Sequence, residues 1–211
     1  MDFEILKNAM ADIDEDKIIE IMQAVIAAGG SDALKAMEAC QAGMEIVGNR
    51  FDAGEYFVSD LIYAGEVLSD AMKILTPALK SGDSVTLGKM ILCTVKDDLH
   101  DIGKNIVRSL LEASGFDVLD LGIDVPASEI IKVANEQNIK IIALSGVLTN
   151  ALESMQKAVA EIVSAGIRDK VKIIVGGSPV TEEACGMIGA DEWALSPQKT
   201  VNVCKGWASE K

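Results

Sequence analysis

The sequence contains one histidine, and the residues around it are the ones best suited to chemistry. His100 lies in the segment Asp98-Leu99-His100-Asp101-Ile102-Gly103, between an apolar run and an amphipathic run. An imidazole with a carboxylate two residues before it and a glycine three residues after it could bind a metal or a metallocofactor. The Asp98 carboxylate could hydrogen-bond the other ring nitrogen, as carboxylates near metal-bound histidines do. The alternative is a histidine that caps a helix or packs in the core.

Two further segments carry residues of complementary type. Ser145 and Thr149 offer hydroxyls, and Gly176 and Gly177 lack side chains, which would let a large flat ligand approach the backbone. Each has an ordinary alternative, because the hydroxyls could cap the next helix and the glycines could form a turn. One histidine does not complete a conventional protein metal site, which needs three or four protein ligands. A metal already chelated by a porphyrin or corrin needs only axial ligands.

The elements that must position these segments follow from the apolar pattern of the second part of the chain. Continuous apolar runs alternate there with helical segments, which is typical of a parallel sheet covered on both faces. The number of predicted strands and helices favours a flavodoxin-like (Rossmann-like) doubly wound parallel five-stranded sheet. Ligands of such sheets bind at the carboxyl ends of the strands, where all three segments fall. Predicted strands cover 89–95, 117–121, 140–145, 171–175 and 192–194, and predicted helices cover 102–114, 127–137, 150–165, 180–188 and 198–208.

Apolar residues recur at helical spacing throughout the first 80 residues, and a four-helix bundle is the simple interpretation. The polar break Ser81-Gly82-Asp83-Ser84 predicts a boundary between a helical cap domain, 1–82, and a sheet domain, 83–211. Predicted helices run from Asp14 to Ala28, from the capping pair Ser31-Asp32 to about Phe51, and from Tyr56 to Lys80, with Pro77 in its last turn.

Composition narrows the class of protein. The net charge is −14 and no basic stripe is visible, which argues against nucleic acid as a partner. No apolar run reaches the roughly 18 residues of a membrane span, and the acidic start Met1-Asp2-Phe3-Glu4 is unlike a signal peptide. The four cysteines are scattered without a CxxC pair, which argues against a zinc ribbon or a dithiol redox motif. A reducing, cytoplasmic location fits this pattern best.

Together these motifs resemble those of the corrinoid proteins of anaerobic methyltransferase systems, and of the cobalamin module of methionine synthase. The segment from Asp98 to Val107 matches the cobalamin signature D-x-H-x-x-G and its extension. Ser145-Gly146-x-x-Thr149 resembles the second signature, and the segment from Val175 to Val180 resembles the third. The helical half, including the segment from Phe51 to Phe57, resembles the family's cap. The resemblance covers nearly the whole chain.

The resemblance implies that His100 replaces the cofactor's own dimethylbenzimidazole as the lower axial ligand of cobalt, with Asp98 bound to the ring. It also implies that the nucleotide tail lies in a slot lined by Gly176 and Gly177. The benzimidazole would then contact Ser145 and Thr149. The remaining implied cofactor-binding residues are Leu99, Asp101, Ile102, Gly103, Val147, Leu148, Ser178, Trp193, Ala194 and Pro197, with Phe51 and Val58 over the upper face or, alternatively, in the bundle core.

Three positions depart from the family pattern. Asp97 stands where relatives often have glycine, and Val147 stands where leucine is common. Ala151 stands where relatives often carry a hydroxyl that extends the relay from His100 through Asp98. The last departure leaves open how protons reach Asp98, but it does not affect cofactor binding.

The resemblance implies a methyl carrier that is not an autonomous enzyme. Its cobalt would accept a methyl group from a donor-specific methyltransferase and pass it to tetrahydrofolate or a thiol cofactor on a second methyltransferase, with a reductive activase as a further partner. No group of residues suited to an independent reaction is visible, so the cofactor would supply the chemistry. The alternatives are a cobalamin sensor, which needs an output module, and a mutase subunit, which needs a substrate barrel. Methanol, methylamines, betaines and aromatic methyl ethers all remain possible donors.

Overall fold

The structure, a computed structural model, describes residues 2–75, 77–78 and 86–209. The chain divides into two compact units. The helical unit comprises residues 1–86 and 113–115, and the sheet unit comprises 87–112 and 116–211. The break from Ser81 to Ser84 lies outside the described residues, so a domain boundary at this break stays a prediction.

The described part of the helical unit contains the four predicted helices. Asp14 caps the second helix at its amino end, where its side chain accepts a hydrogen bond from the Lys17 backbone N–H at 3.1 Å. Leu6, Met10, Ile18, Met22 and Leu61 are fully buried and form the apolar interior of this unit. The helices are α1 (Phe3–Ala11), α2 (Glu15–Ala27), α3 (Ala33–Asp52) and α4 (Val58–Leu75).

Two details of these helices differ from the sequence-based prediction. Asp32 occupies the position before α3, but its side chain makes no capping hydrogen bond and instead pairs with Lys35 Nζ at 3.1 Å. Helix α4 ends at Leu75, and residues 77–78 form a turn, while the predicted end at Lys80 lies outside the described residues. Proline has no N–H for the helix ladder and disfavours the helical conformation of the residue before it, so Pro77 ends this helix instead of lying in its last turn.

The sheet unit has the predicted doubly wound architecture. Its strands are all parallel and lie in the order β2-β1-β3-β4-β5, which is the flavodoxin-like order. The strands are β1 (Gly88–Val95), β2 (Phe116–Val125), β3 (Ile141–Ser145), β4 (Lys172–Gly176) and β5 (Glu192–Ala194), and the helices are α5 (Ile102–Ala113), α6 (Ala127–Glu136), α7 (Ala151–Ser164), α8 (Glu182–Ile188) and α9 (Pro197–Ser209).

Strand β2 extends further than its apolar run predicts. The prediction ended at residue 121, whereas the strand continues to Val125 through a register shift against β1. β2 is an edge strand, and its polar Asp120 pairs with cations of the neighbouring helix, one of which, Lys104, is itself buried. Asp120 accepts hydrogen bonds from Lys104 Nζ at 2.5 Å and from Arg108 at 3.2 Å, both on α5. Ion pairing to α5 therefore adds to the apolar contacts that Leu119 and Leu121 make with the core.

The central strands β1, β3 and β4 supply the core of the sheet unit. Ile91, Ile142 and Ile173 are fully buried, as expected for a sheet covered on both faces. Because these three strands are neighbours, the loops that follow them meet at one edge, which we call the carboxyl edge. In the part of the chain that the structure describes, no helix combines the length and hydropathy needed to cross a membrane.

Candidate cofactor-binding site

Asp98 connects two of the three loops at the carboxyl edge. Its side chain is completely buried. One carboxylate oxygen accepts the His100 backbone N–H at 2.9 Å, and the other accepts the N–H groups of Val147 at 2.7 Å and Leu148 at 3.1 Å. Burial raises the pKa of Asp98, but these hydrogen bonds and the one to the His100 ring outweigh it and lower the pKa below its usual value. Asp98 is therefore ionised at neutral pH.

His100 presents one ring nitrogen to Asp98 and the other away from it. Its Nδ1 lies 3.0 Å from Asp98 Oδ1, which is the contact expected from the sequence. Since an ionised carboxylate only accepts hydrogen bonds, Nδ1 carries a proton, and in the neutral ring Nε2 keeps its lone pair. The side chain is 52% exposed, so His100 is not a core histidine. Among the described residues no cluster of three or more His, Cys, Asp or Glu side chains could hold a metal ion. This site therefore offers a metal one imidazole ligand.

The loop that carries Asp98 is held by a buried threonine that sequence reasoning missed. Thr94 is fully buried near the end of β1, where its hydroxyl donates to the Asp98 carbonyl at 2.5 Å and accepts the Asp124 N–H at 2.9 Å. Asp97 adopts a φ of +68°, a backbone conformation that favours glycine. A lone hydroxyl in an otherwise apolar strand was the signal that could have identified Thr94.

The second and third loops are packed backbone against backbone. The Gly146 N–H donates to the Gly176 carbonyl at 3.0 Å. Gly177 has a φ of +126°, and a Cβ placed on it would overlap the carbonyl oxygen of Gly146. A Cβ on Gly146 would in turn lie 2.5 Å from that of Ala151. Gly177 is thus required by the packing of the two loops, in addition to any space that it leaves for a ligand.

Replacement of Gly177 by alanine should destabilise the protein without any cofactor present. We expect Gly177→Ala to lower the free energy of unfolding by about 1–3 kcal/mol from backbone strain, and by about another 1–3 kcal/mol from overlap with Gly146. Gly166→Ala is the matched control, because Gly166 also has a positive φ, +70°, but open space where its Cβ would be. Urea denaturation of both variants separates the cost of backbone strain from the cost of overlap. Equal losses of unfolding free energy in the two variants would contradict the role of Gly177 in packing the two loops.

The two hydroxyls of the second loop do not cap the following helix. Ser145 is half-buried at the end of β3, and Thr149 is exposed. Asn150 precedes α7, and no side chain caps that helix. The helix-capping alternative is therefore wrong for Ser145 and Thr149, and their predicted contact with a ligand stays a prediction.

Apolar side chains are unusually exposed along the carboxyl edge. Leu99 is 64% exposed and Ile102 is 71% exposed, on the loop after β1 and at the start of α5. A Cβ on Gly103 would have no heavy atom within 4 Å, so the first turn of α5 also faces open space. Exposed apolar surface beside a half-exposed imidazole suits a large cofactor. Val147 and Leu148, after β3, and Leu195, after β5, are also exposed. Ile123, within β2, is exposed as well and was missed from the sequence.

The remaining predicted residues of the sheet unit lie in the same set of loops and strand ends. Asp101 accepts a hydrogen bond from Asn105 Nδ2 at 3.1 Å and thereby supports the first turn of α5. Ala194 is opposite Gly176 in the β4–β5 register. Trp193 is half-buried, Ser178 is exposed and Pro197 begins α9.

The two predicted cap residues belong to the helical unit. Phe51 is half-buried near the end of α3. Val58 begins α4 and is 43% exposed, so it is not a core residue of the bundle. Their role above a cofactor stays a prediction.

A fold and a site of this kind define a cobalamin-binding protein, and comparison with known proteins agrees. The B12 binding domain matches residues 88–195, and a second B12 binding domain matches residues 3–76. Trimethylamine corrinoid protein 1 of Methanosarcina acetivorans is 35% identical over 198 residues, covering 93% of this chain and 92% of that protein. The chain belongs to the corrinoid protein family, whose members bind cobalamin.

Solved structures give the same result. A cobalamin-binding protein from Desulfitobacterium hafniense DCB-2 is 46% identical, with a TM-score of 0.88 and 98% coverage of both chains. A chain of the methanol:cobalamin methyltransferase complex from Methanosarcina barkeri has a TM-score of 0.82 at 24% identity, covering 98% of this chain and 79% of that chain. At this level of identity, the similarity to the methyltransferase complex chain is a similarity of fold only.

Asp98→Asn tests the contact that organises the site. The amide nitrogen must replace one carboxylate oxygen, so a donor would face either His100 or the N–H groups of Val147 and Leu148. Loss of such an outer contact to a metal-bound histidine typically costs about 10–100-fold in affinity or activity, and we expect this loss in cobalamin affinity, measured by absorbance titration. Asp70→Asn, at an exposed aspartate paired with Lys73, is the control. Unchanged affinity in Asp98→Asn would limit Asp98 to holding the loops together.

Proposed function

We propose that this protein is a methyl carrier that works between separate methyltransferases. The observation that carries the proposal is the pairing of buried, ionised Asp98 with half-exposed His100, which leaves Nε2 as a single ligand at an apolar edge. A single imidazole is what a metal already held in a corrin requires. The residues present therefore fit a corrinoid.

Each part of the site has a distinct task. His100 Nε2 would bind the cobalt, and Asp98 would keep the proton on Nδ1 and stabilise positive charge on the ring. Leu99 and Ile102 would cover the corrin with apolar surface and exclude water, and Gly103 would leave room for the ring system. When bound, the corrinoid supplies the cobalt that carries the methyl group.

We infer three kinds of partner for this carrier. They are a donor-specific methyltransferase, an acceptor methyltransferase that uses tetrahydrofolate or a thiol cofactor, and a reductive activase. A structural relative is part of a methyltransferase complex, which supports the first. All four cysteines are buried and free, which fits the reducing cytoplasm as the proposed location.

The methyl donor is a property of the partner more than of this chain. Relatives named for trimethylamine and dimethylamine are about equally distant, at 35% and 33% identity. We therefore propose the general role of methyl carrier and leave the choice of donor to the methyltransferase that docks on it.

The test follows a labelled methyl group through the protein. The cobalamin-loaded, reduced chain is incubated with a methyltransferase and its isotopically labelled donor, re-isolated, and then mixed with an acceptor methyltransferase. We expect label on the re-isolated protein and then on the acceptor. The same amount of free cobalamin is the control. A protein that binds cobalamin tightly but takes no label from methylamine, methanol, betaine or aryl ether methyltransferases would instead be a sensor.

A further inference from the structure

A basic groove lies at the amino ends of the strands, on the edge of the sheet opposite the corrinoid site. It has a volume of about 460 Å³ and is lined by Lys89, Lys140, Lys170 and Lys172. Lys89 is in β1, Lys140 precedes β3 and Lys172 begins β4, so neighbouring strands bring lysines from distant parts of the chain together. The backbone fixes part of this arrangement, because the Lys172 N–H donates to the Lys140 carbonyl at 2.8 Å.

The charge of this groove is opposite to that of the whole protein. The chain carries a net charge of −14, whereas four lysines and a single carboxylate, that of Asp169, line the groove. Within the described residues, Lys140, Lys170 and Lys172 form no ion pair, and Lys89 lies 3.9 Å from Asp117. Ammonium groups that outnumber the carboxylates beside them repel each other, and an anion between them would offset that repulsion.

The groove also offers a flat surface and a polar extension. Trp207 of α9 lines one wall, with Lys172 Nζ 6.0 Å from the centroid of its ring. A smaller depression of about 120 Å³ continues from Asn138, Lys140 and Lys170. The binding surface is therefore elongated, with positive charge along most of its length.

We propose that this groove binds a small molecule that carries two or more phosphate groups. Lysine is a common phosphate ligand that acts as a point charge, and the volume lies within the roughly 300–1,000 Å³ of small-molecule sites. A protein partner is less well matched, because protein interfaces have an apolar core and none of the exposed large apolar side chains lines this groove. A ligand here would occupy the sheet edge away from His100, and so would bind together with the corrinoid.

Calorimetric titration with sodium tripolyphosphate tests this site directly, on both the cobalamin-free and the cobalamin-loaded protein. We expect saturable binding of one tripolyphosphate that weakens as ionic strength rises. Each unit charge at about 4 Å in water is equivalent to about a fivefold change in affinity. The double variant Lys140→Gln/Lys172→Gln should therefore bind about 25-fold more weakly. Lys35→Gln/Lys157→Gln, which removes the same charge at exposed lysines paired with Asp32 and Glu153, should bind like the wild type.

Several results would overturn the proposal. They are absence of saturable binding at low salt, equal weakening by the two double variants, and binding of sodium sulfate as tight as that of tripolyphosphate. Loss of binding in the cobalamin-loaded protein would place the phosphates in the corrinoid site instead. Tighter binding of a hexaglutamate peptide than of tripolyphosphate would assign the groove to an acidic protein segment. None of these outcomes depends on methyl transfer, so this proposal and the methyl-carrier proposal fail separately.

Discussion

His100→Ala is expected to shift the visible absorption spectrum of the bound corrinoid and to weaken its retention. The loss of cobalamin affinity should be larger than the loss of about 10–100-fold that is expected when an outer contact such as that of Asp98 is removed. The sequence contains no second histidine that could take the place of His100. The apoprotein should keep its fold, because the ring is half-exposed and Asp98 keeps its backbone donors, Val147 and Leu148 among them.

The control for this prediction is chemical rescue. Free imidazole added to the His100→Ala protein can occupy the position of the missing ring, so it should restore part of the wild-type spectrum. Retention is measured by ultrafiltration of the protein with a slight excess of cobalamin. A variant whose spectrum matches the wild type would show that the cobalt has another lower ligand, and the site proposed here would then be wrong.

Gly103→Leu is expected to weaken cobalamin binding by at least about 100-fold. The stability of the folded protein should not fall. A Cβ at this position would meet nothing within 4 Å, so the protein itself does not require a glycine in the first turn of α5. Leucine favours a helix over glycine by up to about 1 kcal/mol, so the apoprotein should be as stable as the wild type or slightly more stable. The added side chain would fill space that the corrin needs beside His100.

Gly206→Leu is the matched control for this substitution. Gly206 is also a helical glycine, within α9, and a Cβ there also meets nothing within 4 Å. Both variants should gain similar stability in urea denaturation, but only Gly103→Leu should lose cobalamin in absorbance titration. Wild-type affinity in Gly103→Leu would mean that the cofactor does not approach the first turn of α5, and a large loss of stability would mean that the glycine has a structural role.

The sequence by itself determined the architecture and the centre of the site. Alternation of apolar runs with amphipathic segments depends on residues close in sequence, so the strands and helices of the sheet unit could be predicted within a few residues. Parallel order then places the loops after β1, β3 and β4 at one edge, since neighbouring strands in such a sheet end together. The spacing from Asp98 to Gly103 predicted the contact between Asp98 and the His100 ring, because both residues lie in one short segment. That His100 binds the cobalt stays a prediction.

Only the tertiary structure decided what holds that centre in place. Asp98 is bound by the backbone N–H groups of Val147 and Leu148, and backbone donors leave no signature in residue type. Gly177 is needed because the Gly146 carbonyl lies where its Cβ would be, a contact between loops some thirty residues apart. The lysines of the basic groove are equally scattered, from Lys89 to Lys172. Long-range contacts of this kind depend on how strands pair, and strand pairing brings together residues that no local pattern connects.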